Sequence, residues 1–147
     1  MQEPQIRVAS FDQLDTRTSY LLWQLRESVF VVEQDCPYLE LDGRDLEPGT
    51  RHVWAEEAGL PMAYLRVLDD DGAARIGRVL VAGSHRGRGL ADTLMLRALD
   101  EIGARETRLD AQSYLAGWYT RFGFEQDGPE FVEDGIPHVP MTRQTGR

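Results

Sequence analysis

The stretch VLVAGSHRGRGLADTL, residues 79–94, decides how this chain is read. An apolar, strand-like run breaks into a loop with three glycines and two arginines, and a helical pattern resumes at once. Such a junction delivers a strand into a helix N-terminus. The first backbone N–H groups of a helix have no partner inside it, and the macrodipole adds partial positive charge, so the junction is suited to an anion. Gly87 and Gly89 let the backbone approach an oxygen with no Cβ in the way. Arg86 and Arg88 can add charge for a phosphate. The plain alternative is a βα connection with both arginines in solvent. Dinucleotide binding fits poorly, because GRGLAD lacks the G-x-G-x-x-G spacing after a first parallel strand. A P-loop is excluded, because no G-K-[ST] follows.

Working outward, the flanks read as alternating strands and helices without repeat, low-complexity segment or linker. QIRVASF alternates as a first strand. YLLWQLRESVFVVEQ carries Leu22, Leu25, Val29 and Val32 at helical spacing and predicts a helix ending near Gln34. The stretch DCPYLELDGRDLEPGT, with its prolines, glycines and acids, predicts a long surface loop, and loops of that length are often functional. RHVWAEEA, MAYLRVLDD and AARIGRVLVA are joined by glycine turns, so three antiparallel neighbours are expected. A second helix runs from about Gly89 to Ile102, with Gly103 as its C-cap. ETRLDAQ is a strand and YLAGWYTRF a short helix. FEQDGPEF and IPHVPMTR are the last two strands, with Pro140 marking an irregularity or an edge. The expected fold class is α+β, a mixed and mostly antiparallel sheet with helices on both faces.

The 147 residues suit one domain, residues 1–147. With 16 basic and 25 acidic side chains the net charge is -9, which speaks against a nucleic-acid or anionic-membrane partner and leaves room for a small basic pocket. Cys36 is the single cysteine, so neither an internal disulfide nor a cysteine-based metal site is available, and no metal is expected. Cys36 reads as a buried, inert thiol. The opening residues do not resemble a signal peptide, and no apolar run reaches the roughly 18 residues of a membrane helix. The expected location is the cytoplasm; a homodimer stays open.

RGRGLA, residues 86–91, matches the R-x-x-G-x-G/A signature of GNAT-type N-acetyltransferases, and WYTRFGFE, residues 118–125, matches their Y-x-x-x-G-F element. VFVVEQDCPYLELDGRD, AYLRVL, IGRVLV and EDGIPHVPM together resemble the ElaA subgroup. The likeness covers almost the whole chain in order. It implies that acetyl-CoA is the cosubstrate and that the backbone of Gly87, Arg88, Gly89, Leu90, Ala91 and Asp92 holds its pyrophosphate, Asp92 through its N–H alone. Leu80 and Val81 would pair with the pantetheine arm like an added strand, and a strand N–H around Val81 would stabilise the oxyanion. Tyr119 would protonate the departing thiolate, and Gln112 would contact the cofactor.

The general base is open. Some relatives place a glutamate on the strand before the tyrosine helix, where this chain has Thr107. Glu33, His138 and His52 are candidates, each with a structural reading beside the catalytic one. The acceptor amine, small molecule or peptide, would enter between the first helix with its acidic loop and the last strands. There Asp35, Glu40, Asp42 and Asp45 either draw a cation or are merely solvated. Trp23, Phe30 and Tyr38 either line that pocket or fill core. The rival reading is a CoA-binding module of the same fold that has lost turnover.

Overall fold

Asp15 opens the first helix: its Oδ1 accepts the Thr18 N–H at 2.6 Å. The helix α1 is therefore Thr16–Glu27, starting before the expected Tyr20 because the cap and not the first apolar residue sets the start. It continues as a π-helical segment, Ser28–Glu33. The wider turn advances the register, so Val29 stays buried while Val32, in step for an ideal helix, is 72% exposed. These details come from a computed structural model that describes residues 3–35 and 39–144. Cys36 and Tyr38 lie outside the described residues.

Eight strands form one sheet in the order β1-β2-β3-β4-β5-β8-β6, with β7 also on β8. They are β1 Gln5–Ala9, β2 Arg51–Glu57, β3 Leu60–Asp70, β4 Ala73–Val81, β5 Thr107–Gln112, β6 Glu125–Gln126, β7 Phe131–Glu133 and β8 Ile136–Arg143. Among the described residues only β4 and β5 pair in parallel. The helix α2 is Leu90–Ile102 and the short α3 is Ala116–Thr120. On one face α1 covers Trp54, Tyr64 and Leu80. On the other, Leu94, Met95, Ala98 and Ile102 of α2 pack on Val53, Leu65 and Ala111, and Tyr119 and Phe124 close the far side of that core. The mixed sheet with helices on both faces is the expected architecture. No described helix is long and apolar enough to cross a membrane.

FEQDGPEF is not one strand. It leaves the sheet after Gln126, because a Cβ on Gly128 would lie 2.8 Å from the Pro140 ring and the following proline cannot donate to a ladder. β6 pairs with Met141 and Thr142 and β7 with residues 136–138, so Pro140 falls in the break between them.

Candidate active site

The glycine junction has the predicted shape. β4 runs through a 3-10 turn, Gly83–His85, into Gly87 at φ 84° and Gly89 at φ 73°, conformations that a side chain would strain. Gly89 is the N-cap of α2 and offers no side-chain acceptor. The Thr93 N–H is the one that reaches back to the Gly89 carbonyl, at 3.1 Å, so the N–H groups of Leu90, Ala91 and Asp92 come before the helical ladder begins. The Asp92 carboxylate is drawn away to α3, where it accepts Trp118 Nε1 at 2.7 Å and Arg121 Nη2 at 3.3 Å. That contact ties the loop to the helix carrying Tyr119.

The two arginines differ. Arg86 donates Nε to the Val81 carbonyl at 3.0 Å and grips both Glu33 oxygens, at 2.9 and 2.7 Å. Arg88 meets only Glu57 among the described residues, at 3.5 Å, and is half exposed. The Arg86 hydrogen bond and charge hold the Glu33 carboxyl below its ordinary value, which makes it a weaker proton acceptor.

β4 and β5 pair at Ala74↔Thr107 and Arg75↔Arg108 and at no other described position. Beyond those pairs the strands diverge. Leu80 and Val81 stay paired with Tyr64 and Ala63 of β3 on one side, and face a slot on the other. The Leu80 side chain is buried against α1, so its backbone is what it offers the slot. Thr107 sits at the closed end of the divergence and is fully buried, which removes that position from the cleft.

The slot opens into a cavity of about 340 Å³ whose lining includes Phe30, Val79, Asp110, Gln112, Tyr119 and His138. It lies where the acceptor pocket was expected. Tyr119 is 7% exposed, with its ring edge-on to Trp118 and Phe124 at 4.8 and 6.1 Å. Burial, aided by the charge of Tyr114, pushes its phenol up to about 12, so the hydroxyl is a proton donor at neutral pH. Gln112 and His138 are direct cross-strand partners on the cleft face of β5 and β8. The His138 ring stacks on Phe131 at 5.7 Å, and its Nδ1 lies 2.7 Å from the Ile136 carbonyl oxygen. A carbonyl only accepts, so Nδ1 carries the proton and Nε2 keeps a lone pair in the neutral ring.

His52 is a satisfied sheet residue. It is fully buried, with Nδ1 at 2.5 Å from the Tyr64 hydroxyl and Nε2 at 3.2 Å from the Asp45 carbonyl oxygen, and burial holds it below its ordinary value. Trp23 packs edge-on against His52 and beneath Arg26, so it belongs to the core, whereas Phe30 lines the cavity.

The acidic loop is not simply solvated. Asp35 is exposed, but Arg26 Nε binds Glu40 at 2.7 Å and Arg26 Nη1 binds Asp45 at 2.6 Å. Arg66 takes Asp42 at 2.6 Å and Asp45 at 3.1 Å. The arginines hold the Asp42 carboxyl well below the usual range and the Asp45 carboxyl below its ordinary value, against the opposing effect of burial. The signal was in the partners: Arg26 falls on the apolar face of α1, four residues after Leu22 and three before Val29, and a charge at a core position needs a buried counter-ion. Asp110 was also missed, although the alternation of TRLDAQ puts it on the face of Gln112.

Residues 26–145 match the family described as Acetyltransferase (GNAT) domain. A UPF0039 protein of Mycobacterium tuberculosis is 48% identical over 135 residues, 88% of this chain and 86% of that one. Protein ElaA of Escherichia coli is 38% identical over 139 residues, 90% of this chain and 91% of that one. The crystal structure of Escherichia coli ElaA superposes with a TM-score of 0.91 at 35% identity, covering 97% of this chain and 100% of that one. An acyl-CoA N-acyltransferase from Pseudomonas aeruginosa gives a TM-score of 0.93 at 40% identity, over 96% and 99%.

Proposed function

We propose that this protein, which belongs to the GNAT acetyltransferase family, moves the acetyl group of acetyl-CoA directly onto a primary amine of a small molecule or peptide. The observation that carries the reading is Tyr119: a buried phenol that stays protonated, on the wall of the cavity into which the slot beside β4 opens. The cosubstrate phosphates would rest on the N–H groups of Gly87, Arg88, Gly89, Leu90, Ala91 and Asp92. Among the side chains Arg88 is the better placed to add charge, since Arg86 is engaged with Glu33 and the Val81 carbonyl. The pantetheine arm would lie along Leu80 and Val81, with Gln112 in contact.

In the reaction the amine nitrogen forms a bond to the thioester carbonyl carbon. A backbone N–H near Val81 meets the developing oxyanion. As the C–S bond breaks, Tyr119 gives its proton to the thiolate, and the proton lost by the amine passes to a base. His138 is the base we favour, through Nε2, because its Nδ1 proton is spoken for by Ile136. Glu33, held as an ion by Arg86, is the weaker choice. We place the enzyme in the cytoplasm, acting on an amine and on neither nucleic acid nor a membrane.

The test is thiol release from acetyl-CoA in the presence of a panel of primary amines, with acetyl-CoA binding followed separately by calorimetry. Amine-dependent release supports the reading. Tight binding with no turnover on any amine would favour the CoA-binding module instead.

A further inference from the structure

β3 and β4 do not run in simple register. Tyr64 pairs with Leu80 and Arg66 with Gly77, so Leu65 alone faces both Arg78 and Val79: a bulge in the strand that borders the slot. Arg78 takes φ 56° there, although Gly77 stands next to it and keeps an ordinary backbone. The left-handed conformation strains a side-chain residue where glycine would sit without cost, so what the arginine side chain holds at this point matters.

Its guanidinium supplies one. Arg78 Nε donates to Glu40 Oε2 at 2.8 Å and Nη2 to the Glu40 backbone carbonyl at 3.1 Å. Arg26 grips the same two oxygens in the same way, Nε on Oε2 at 2.7 Å and Nη2 on the carbonyl at 3.3 Å. One arginine comes from α1 and the other from the bulge, and Glu40 is clamped between them. Asp42 adds a further contact to Arg78 at 3.5 Å. Apolar burial contributes little to holding this loop, since Leu39 is 90%, Leu41 52% and Leu46 60% exposed; its buried Asp45 is held by Arg26 and Arg66. Glu40 and Asp42 on the loop and Gly77, Arg78, Val79 and Tyr119 behind them line the same cavity.

We propose that Arg78, with Glu40 as its counterpart, is a positioning residue that couples the acceptor loop, residues 39–47, to the strand segment receiving the thioester. Seating the loop keeps Arg78 in its left-handed conformation and the bulge in place. Filling the slot along Leu80 and Val81 stabilises the bulge and thereby the loop, since coupling between two sites is reciprocal. The inference rests on the acetyl-CoA reading of the slot.

The experiment is hydrogen exchange of peptides covering residues 39–47, with and without acetyl-CoA as the probe, beside calorimetry of acetyl-CoA binding. In the wild type, acetyl-CoA should slow exchange of the loop by about 5-fold or more, within the range of ordinary coupling. Arg78→Gly keeps the bulge, because glycine accepts positive φ, and removes the strand's half of the clamp while Arg26 stays on Glu40. Its loop should exchange faster and no longer respond to acetyl-CoA, while acetyl-CoA affinity stays within about 3-fold, because the phosphates sit at the helix N-terminus. Should Arg78→Gly fold poorly, Glu40→Gln, which leaves β4 untouched and takes the charge out of both arginine pairs, should show a diminished response. A loop indifferent to acetyl-CoA in the wild type that nonetheless binds it, or an undiminished response in Arg78→Gly or Glu40→Gln, overturns the proposal. Absence of any acetyl-CoA binding to the wild type overturns the cosubstrate reading and the coupling drawn from it. Ligand-free exchange of the three proteins would then still report whether the clamp holds the loop.

Discussion

Replacing Tyr119 with phenylalanine keeps the ring, its edge-on contacts with Trp118 and Phe124 and its place in the core, and removes only the hydroxyl. The size of the effect can be worked from the burial of the phenol. Its value of about 12 stands well above the 8.5 of an ordinary thiol, so complete proton transfer is uphill even to the finished thiolate. Tyr119 therefore acts mainly by hydrogen bonding to charge as it develops on sulfur. A hydrogen bond to a charged group contributes about 1.5–3 kcal/mol, so kcat should fall roughly 10- to 150-fold, towards the lower part of the range for acid catalysis. Burial raises the phenol, so Tyr119 stays protonated through pH 10 and adds no alkaline fall-off below that. The loss in Tyr119→Phe should accordingly be the same at pH 7 and pH 9. Acetyl-CoA affinity and Tm should barely move, because the lost hydroxyl has no hydrogen-bond partner among the described residues. The assay is steady-state thiol release with a working amine, with single turnover to verify that chemistry limits the rate. Turnover at the wild-type rate under that condition would refute the role of Tyr119 as the acid. A fall in kcat accompanied by a collapse in Tm would make it a packing residue.

Gly89→Ala should destabilise the fold by about 1–2 kcal/mol, because φ is 73° there, and should weaken acetyl-CoA binding further; denaturant titration and calorimetry read the two effects. His138→Ala should lower kcat about 100-fold, the usual lower scale of general base catalysis, with acetyl-CoA affinity unchanged by calorimetry; unaltered kcat would move the base elsewhere. The Asp42 and Asp45 carboxyls are depressed by their arginines. Their stabilising contribution is complete above the unfolded value near 3.9 and disappears as pH falls through that value towards the lower folded ones. Melting temperature should drop between pH 5 and pH 2, and Asp42→Asn should narrow that drop.

Local chemistry was enough to read several parts of this protein. The strand, glycine loop and helix around Gly87 and Gly89 could be recognised because an unpaired helix N-terminus and a positive φ are set within a few residues. The three antiparallel strands were legible from their glycine turns, whereas the meeting of Gln112 with His138 needed the pairing and register of two separate strands, which the sheet alone sets. Other features depend on partners far apart in the chain. Whether an acid on a loop is solvated or buried is decided by what folds against it: Asp45 meets Arg26 and Arg66, 19 and 21 residues away, and Glu40 meets Arg78 across 38. The shift from α to π at Ser28 turned Val32 outward although its spacing was apolar. The slot itself exists because β4 and β5 part after two pairs, and that divergence is a property of the assembled sheet, for no stretch of residues records how far its neighbour will follow it.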